Sequence, residues 1–215
     1  MSLVLKESTL EGNLETSRFW AYAASFGALW GSLEITLGAF LHTLHVPFAG
    51  VILASAGAGL LVAQRQFFNR FGISLATGIV AASVKSISPG GIILGPMLGI
   101  TCEALIVELI LVIGPRSLPA AVLAGCTAGI WPLAQKLLYQ VIMFSHNVID
   151  LYLALLRKAG EWLGVTTSQG WSLLIMLIIS CGIIGSLGGL TGWLLGRKAI
   201  LTGKNVSQEK KEPVV

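Results

Sequence analysis

Long apolar runs separated by short polar stretches dominate the chain. Six of these runs come near the roughly 20 residues that a helix needs to cross the hydrocarbon core of a bilayer. The runs cover about residues 19–43, 47–64, 72–88, 91–113, 118–144 and 171–196. The pattern predicts an all-α polytopic membrane protein with six transmembrane helices.

The segment between the fifth and sixth runs, residues 145–164, follows a different pattern. Its polar positions recur every three or four residues and are Asn147, Asp150, Arg157 and Glu161. Such spacing is typical of an amphipathic helix that lies at the membrane interface or covers the bundle. The sequence therefore divides into a polar N-terminal segment (1–17), a six-helix membrane domain (18–198) and a cytoplasmic tail (199–215) whose polarity predicts disorder.

The composition supports a membrane protein. Hydrophobic residues make up 54% of the 215 residues and charged residues only 11%, with a mean hydropathy of +0.82. Soluble domains carry about a quarter charged residues, so an ordinary soluble domain is excluded. The net charge of +4 comes from loops and the tail. Nucleic-acid binding is disfavoured, because it needs a basic face with interleaved aromatic side chains.

Basic residues in the connections predict the orientation, because they concentrate on the cytoplasmic side of a membrane. Those in the second and fourth connections and directly after the last run are Arg65, Arg70, Arg116, Arg197 and Lys198. Placing them in the cytoplasm puts both termini inside, and only Arg157 and Lys158 oppose this arrangement. The sequence therefore predicts a multi-pass protein of the plasma or inner membrane, N-in and C-in.

The first run carries two adjacent rows of small residues, whose four-residue spacing lets helices in lipid approach closely. The rows are Ala23, Gly27 and Gly31, and beside them Ala24, Ala28 and Ser32. Similar rows in the fourth, fifth and sixth runs are interpreted as packing within the chain. The wider face of the first run leaves two interpretations open. It serves either internal packing or a partner's helices, which would dock on Ala24, Ala28, Gly27 and Gly31.

Ionisable residues inside the runs predict a functional site, because charge at membrane depth is costly. At about 1.5 Å per residue, Glu34, Lys85, Glu103 and Lys136 should converge on the outer half of the bundle. The candidate substrate-binding residues are Glu34, His42, Lys85, Ser88, Glu103, Trp131, Lys136 and Gln140. An ion-pair network that only fixes the helices is the alternative, as is a packed core indole for Trp131. Glu108 lies deeper and is predicted to be a separate structural acid.

Signatures of catalysis and of nucleotide binding are missing from the sequence. It contains no H-E-x-x-H, G-x-S-x-G or Walker A motif, and its three cysteines have no C-x-x-C spacing. His42 and His45 with Glu34 would form a metal site from a single helix, which is unusual. We therefore expect no enzyme activity, no cofactor and no metal. Energised transport would need another polypeptide or an ion gradient.

The layout and two short motifs resemble those of the S component, the substrate-binding membrane subunit, of energy-coupling factor (ECF) vitamin transporters. The motifs are the pair Ala24-x-x-x-Ala28 in the first run and "SPGGIILGPMLG" entering the fourth. The resemblance covers about residues 18–198. It implies that the first helix docks on a transmembrane coupling subunit that carries two cytoplasmic ATPases. It also implies that a small vitamin-like solute is captured from the outer side.

Two other classes of function remain open. One is a self-sufficient carrier or channel coupled to protons through Glu34 or Glu103. The other is an intramembrane enzyme that uses Glu103 and Glu108 with His42. The five-residue separation of Glu103 and Glu108 turns them about 140° apart on a helix, which counts against the enzyme.

Overall fold

The computed structural model describes residues 2–46, 48–87, 94–144 and 171–209, and these residues form six α-helices. The helices are α1 (Ser2–Thr43), α2 (Ala49–Phe67), α3 (Ile73–Ser86), α4 (Leu94–Ile113), α5 (Leu118–Phe144) and α6 (Trp171–Glu209). The prediction of an all-α protein is confirmed for this part of the chain. Ser88 and the predicted amphipathic segment 145–164 lie outside the described residues.

Four of the helices contain stretches long and apolar enough to cross a membrane. These stretches are Gly12–Thr43, Leu94–Ile113, Leu118–Gln140 and Leu174–Gly203. The remaining two helices are shorter, with 19 residues in α2 and 14 in α3. The apolar helices indicate a membrane protein.

Among the described helices, α2 is central and packs against each of the other five. Around it, α1 packs on α3, α3 on α4, α4 on α5 and α5 on α6. Contacts along α1 fix its direction relative to two neighbours. Gly27 and Gly31 meet Val80 and Val84 in the same order, so α1 and α3 are parallel. Trp30 and Gly38 of α1 meet α2 at Gly57 and then at Leu53, so α1 and α2 are antiparallel.

Helix α4 shows why the bundle suits a bilayer. Its exposed side chains are apolar and include Leu98, Leu105 and Leu109. Its two acids, Glu103 and Glu108, are buried on the opposite side. This inverts the pattern of a helix in a soluble protein, and it keeps charge away from lipid, where it is costly.

Glycines allow α6 to approach α5 closely. A Cβ atom on Gly129 would lie 2.8 Å from Gly185 Cα, and a Cβ atom on Gly125 would lie 2.8 Å from the backbone nitrogen of Gly189. Real Cβ atoms essentially never come this near to backbone. The predicted packing of the small-residue rows of the fifth and sixth runs within the chain is therefore confirmed.

The two rows of small residues on α1 differ in burial, and this corrects part of the predicted partner interface. Gly27 and Gly31 are buried against α3, where an added Cβ would lie 2.6 Å from the Cβ atoms of Val80 and Val84 respectively. These two glycines are therefore occupied inside the bundle and are not available to a partner. Ala24 and Ala28, in the neighbouring row, are exposed.

Two terminal segments differ from the sequence prediction. Residues 2–17, predicted as a polar segment apart from the membrane domain, belong to α1, which runs without interruption to Thr43. Residues 199–209, predicted to be disordered, continue α6 as far as Glu209. Apolar periodicity fades in both segments, but a helix that is already formed extends at low cost through residues without proline.

The two ends of the bundle carry different side chains. At one end Arg65 donates to the carbonyl of Arg70 (3.0 Å) and Arg116 donates to the carbonyl of Arg65 (3.3 Å). The Arg197 guanidinium lies 5.0 Å from the centre of the Trp193 ring, whose N–H donates to the carbonyl of Arg116. We call this the arginine end. The opposite end, where α1, α3 and α5 finish and α2 and α4 begin, is the cavity end.

Candidate functional site

A cavity of about 190 Å³ lies between five helices at the cavity end. Its polar lining comes from α1, α3, α4 and α5 and consists of Glu34, His42, Lys85, Glu103, Trp131 and Gln135. Gly38, Gly50 and Gly99 line it as well and leave room where larger residues would fill the space. We call it the charged cavity.

Lys85 and Glu34 form the first polar contact in the charged cavity. The parallel packing of α1 and α3 brings the Lys85 ammonium 2.7 Å from the Glu34 carbonyl, to which it donates. The ammonium lies 3.9 Å from the carboxylate oxygen Oε2 of the same residue. Glu34 is thus held by one cation.

Glu103 is the most deeply buried acid of the charged cavity, with only 4% of its surface exposed. It lies one turn after Gly99 on the same face of α4, as its sequence spacing predicts. Its oxygen Oε1 is buried and has no hydrogen-bond partner among the described residues. A buried polar atom without a partner is unusual in folded proteins and calls for a specific explanation.

Trp131 and Gln135 bind the backbone of α4 across the cavity wall. The Trp131 indole N–H donates to the carbonyl of Gly99 (3.1 Å), and the Gln135 amide donates to the carbonyl of Gly95 (2.8 Å). The two side chains lie one turn apart on α5 and so share a face. Gln135 was absent from the sequence-predicted site, although its four-residue spacing from Trp131 was a usable signal.

A second cavity of about 490 Å³ adjoins the first and shares His42, Gly50 and Pro132 with it. Lys136 lines this second cavity and is exposed. Lys136 therefore lies at the same end of the bundle as Glu34 and Glu103, but the prediction that it lines one pocket with them is wrong. Lys136 follows Gln135 directly, and successive residues on a helix point about 100° apart.

The predicted substrate-binding residues thus fall into three groups. Glu34, His42, Lys85, Glu103 and Trp131 all line the charged cavity. Lys136 lies in the neighbouring cavity, and Gln140, one turn further along α5, is partly buried with its oxygen Oε1 lacking a partner among the described residues. Ser88 lies outside the described residues.

Glu108 lies apart from the charged cavity, toward the arginine end. It forms a buried ion pair with Arg65 and accepts hydrogen bonds from the backbone N–H groups of Gly72 and Ser74. The prediction of a separate structural acid is confirmed. Because its oxygens are held in this way, Glu108 does not join Glu103 in one site.

The side chains that line the charged cavity determine which chemistry it can support. Its lining offers no serine or cysteine nucleophile beside a base among the described residues. The same part of the chain contains no cluster of three His, Cys, Asp or Glu side chains that could hold a metal ion. What the cavity does offer is a buried carboxylate, a cation and an aromatic wall.

Comparison of the chain with protein-family models, with characterised proteins and with solved structures gives no match. The fold and the site together define the class of protein: a helical membrane protein with a charged cavity near one end of its bundle. Any closer assignment rests on the chemistry of the site.

Proposed function

We propose that this chain is the substrate-binding subunit of an ECF-type uptake transporter, which captures a small vitamin-like solute from the outer side of the membrane. The observation that carries the proposal is the charged cavity. It brings Glu34, Lys85 and Glu103 together from three helices near one end of an apolar bundle. Ionisable side chains at membrane depth mark substrate or ion sites in transport proteins.

The proposed topology is six spans in the plasma or inner membrane, with both termini and the arginine end in the cytoplasm. Concentration of arginine at one end supports this orientation. The 19 residues of α2 extend about 28 Å, close to the thickness of a hydrocarbon core. Helix α3 is shorter. Gly72, directly before it, donates to Glu108, and Lys85, near its end, donates to the Glu34 carbonyl. Helix α3 therefore connects the level of Glu108 with the level of Glu34. The charged cavity then opens toward the outside.

The proposed partners are a transmembrane coupling subunit and its cytoplasmic ATPases. Ala24 and Ala28 support this part of the proposal, because they form an exposed, small-residue face on α1. Neighbouring Tyr22 contacts Gln64 of α2, next to Arg65, so the face lies in the half of α1 nearer the arginine end. Small residues allow the close helix contacts by which membrane helices associate.

A self-sufficient proton-coupled carrier is the second candidate. The observation in its favour is Glu103, since a buried acid without a hydrogen-bond partner among the described residues could exchange a proton during transport. The intramembrane enzyme has less support, because Glu108 pairs with Arg65 and does not share a site with Glu103.

Native mass spectrometry of the tagged chain, purified in mild detergent from the source membranes, tests the proposal. The wild-type protein should retain both a small solute and the coupling and ATPase subunits. Glu103→Gln should lose the solute and keep the subunits. Ala28→Trp should lose the subunits and keep the solute, because a bulky side chain prevents close helix approach.

Leu29→Trp provides a matched control, since Leu29 is the next residue on α1 and is 50% exposed. This variant should keep both the solute and the subunits. Proton-driven uptake by the purified chain alone in liposomes would contradict the proposal and favour the carrier.

A further inference from the structure

Acidic side chains outnumber lysine and arginine side chains in the lining of the charged cavity, among the described residues. Two carboxylates, Glu34 and Glu103, and one ammonium group, Lys85, line it among the described residues, together with His42. Lys85 contacts Glu34, through both its carbonyl and its carboxylate. Among the described residues, Glu103 therefore has no cation of its own in the cavity.

No further cation lines the charged cavity among the described residues, and the connection between α3 and α4 adds none. The connection between α3 and α4 contains Ser88, Pro89, Gly90, Gly91, Ile92 and Ile93, none of which is ionisable. Lys136 lines the adjoining cavity and is exposed, so water can solvate its ammonium group. A buried carboxylate must be neutralised by a proton or paired with a cation.

Three side chains of the cavity wall each donate a hydrogen bond to the protein backbone. The Trp131 N–H donates to Gly99, the Gln135 amide donates to Gly95, and the Lys85 ammonium donates to Glu34. In contrast, the acceptor atom Glu103 Oε1 is buried and has no partner in the part of the chain that the structure describes. The cavity wall thus offers a free hydrogen-bond acceptor, Glu103 Oε1, to a bound ligand.

We propose that the charged cavity binds a small organic cation, whose protonated nitrogen contacts the Glu103 carboxylate and whose flat apolar part lies against Trp131. The proposal rests on the proposed function, of which it specifies the substrate class. A bound cation supplies both a positive counter-charge for the Glu103 carboxylate and a hydrogen-bond donor for its Oε1 atom. Amidinium and ring N–H⁺ groups suit the site best, since planar forked donors match carboxylate geometry.

The volume of the cavity indicates the size of cation that fits within it. Its 190 Å³ corresponds to about six water molecules at about 30 Å³ each. That is room for one aromatic ring with a short substituent. A larger solute would extend into the adjoining cavity past His42, Gly50 and Pro132, which line both spaces.

Three probes of nearly equal shape and different charge test the proposal: benzamidinium, neutral benzamide and anionic benzoate. Binding is measured by titration calorimetry on the full chain in detergent, with each probe at up to millimolar concentration. Benzamidinium should bind at least about tenfold more tightly than the other two, a difference of about 1.4 kcal/mol. Glu103→Gln should abolish this preference.

Two further variants separate charge recognition from general effects. Glu15→Gln removes one negative charge from an exposed site at the arginine end, where Glu15 pairs with Arg70, and should leave binding unchanged. Lys85→Met should strengthen benzamidinium binding, because it removes the one ammonium group that offsets the two acids of the cavity. An anion site would respond in the opposite way and lose benzoate binding in Lys85→Met.

Preferential binding of benzoate, equal binding of all three probes, or no binding of benzamidinium would overturn the proposal. So would unchanged benzamidinium affinity in Glu103→Gln. If Glu103→Gln does not fold, the probe preference of the wild-type protein and of Lys85→Met decides. Failure of the transporter assignment is recognised separately, because it appears as absence of copurifying ATPase subunits whatever the charge preference of the cavity.

Discussion

Arg65 and Glu108 form a buried ion pair that joins α2 to α4 on the arginine-end side of the charged cavity. Both side chains are 3% exposed. Glu108 also accepts from the backbone N–H groups of Gly72 (2.6 Å) and Ser74 (2.9 Å), so the start of α3 is tied to the same carboxylate. One acid therefore positions three helices, including α3, whose far end carries Lys85.

We predict that Glu108→Gln destabilises the protein by about 3–5 kcal/mol, because it leaves the buried Arg65 guanidinium without a counter-charge. Thermal unfolding of the purified protein, followed by loss of the monodisperse peak in size-exclusion chromatography, measures the effect. Arg70→Ala is the control. It removes an exposed ion pair with Glu15, which should contribute no more than about 1 kcal/mol. Similar melting temperatures for the two variants would show that the buried pair is not stabilising.

The two rows of small residues on α1 should respond differently to the same substitution. Gly27→Leu should cost at least about 1–3 kcal/mol of stability, because even its Cβ would lie 2.6 Å from Val80 Cβ and 2.8 Å from the Thr77 carbonyl oxygen. Ala28→Leu, at an exposed position, should change stability by less than about 0.5 kcal/mol. Melting temperatures of the two variants test this. Equal losses would mean that Ala28 is packed within the chain.

These rows show how far the sequence could predict the fold. The four-residue spacing correctly indicated close helix contacts, and the apolar runs indicated the six described helices, although α1 and α6 extend well beyond their runs. Spacing does not tell which neighbour covers a row. Gly27 and Ala28 look equally suitable as docking residues in the sequence, yet α3 covers only Gly27.

The candidate site was predictable to a similar extent. Membrane depth placed Glu34, Lys85 and Glu103 at one level, because depth follows directly from position along a helix. Helix rotation was not predictable, since it depends on packing partners. Lys136 and Gln135 are adjacent in sequence, but only Gln135 faces the charged cavity.

The orientation of the bundle predicts the accessibility of single cysteines in intact cells. In a background with Cys102, Cys126 and Cys181 replaced by alanine, Leu44→Cys at the cavity end should react with a membrane-impermeant maleimide. Phe71→Cys at the arginine end should react only after permeabilisation. Both positions are well exposed, at 57% and 75%, so burial does not explain a difference. The reverse labelling pattern would place the charged cavity on the cytoplasmic side.

Gly95 and Gly99, one turn apart on α4, provide a matched pair for testing whether the charged cavity is the binding site. An added Cβ at Gly99 would lie 2.5 Å from the Gln135 side-chain oxygen, whereas one at Gly95 would meet nothing within 4 Å. Gly99→Ala should therefore push Gln135 out of its bond to the Gly95 carbonyl and narrow the cavity.

We expect Gly99→Ala to weaken binding of the retained solute, or of benzamidinium, by at least about tenfold, while Gly95→Ala leaves binding unchanged. Both variants should fold, because alanine is about 1 kcal/mol more favourable than glycine inside a helix and the displaced Gln135 is a flexible side chain. Calorimetry on the two purified variants, alongside their melting temperatures, measures both effects. Equal affinities in the two variants would place the bound solute elsewhere, with the adjoining cavity around His42 and Lys136 as the next site to test.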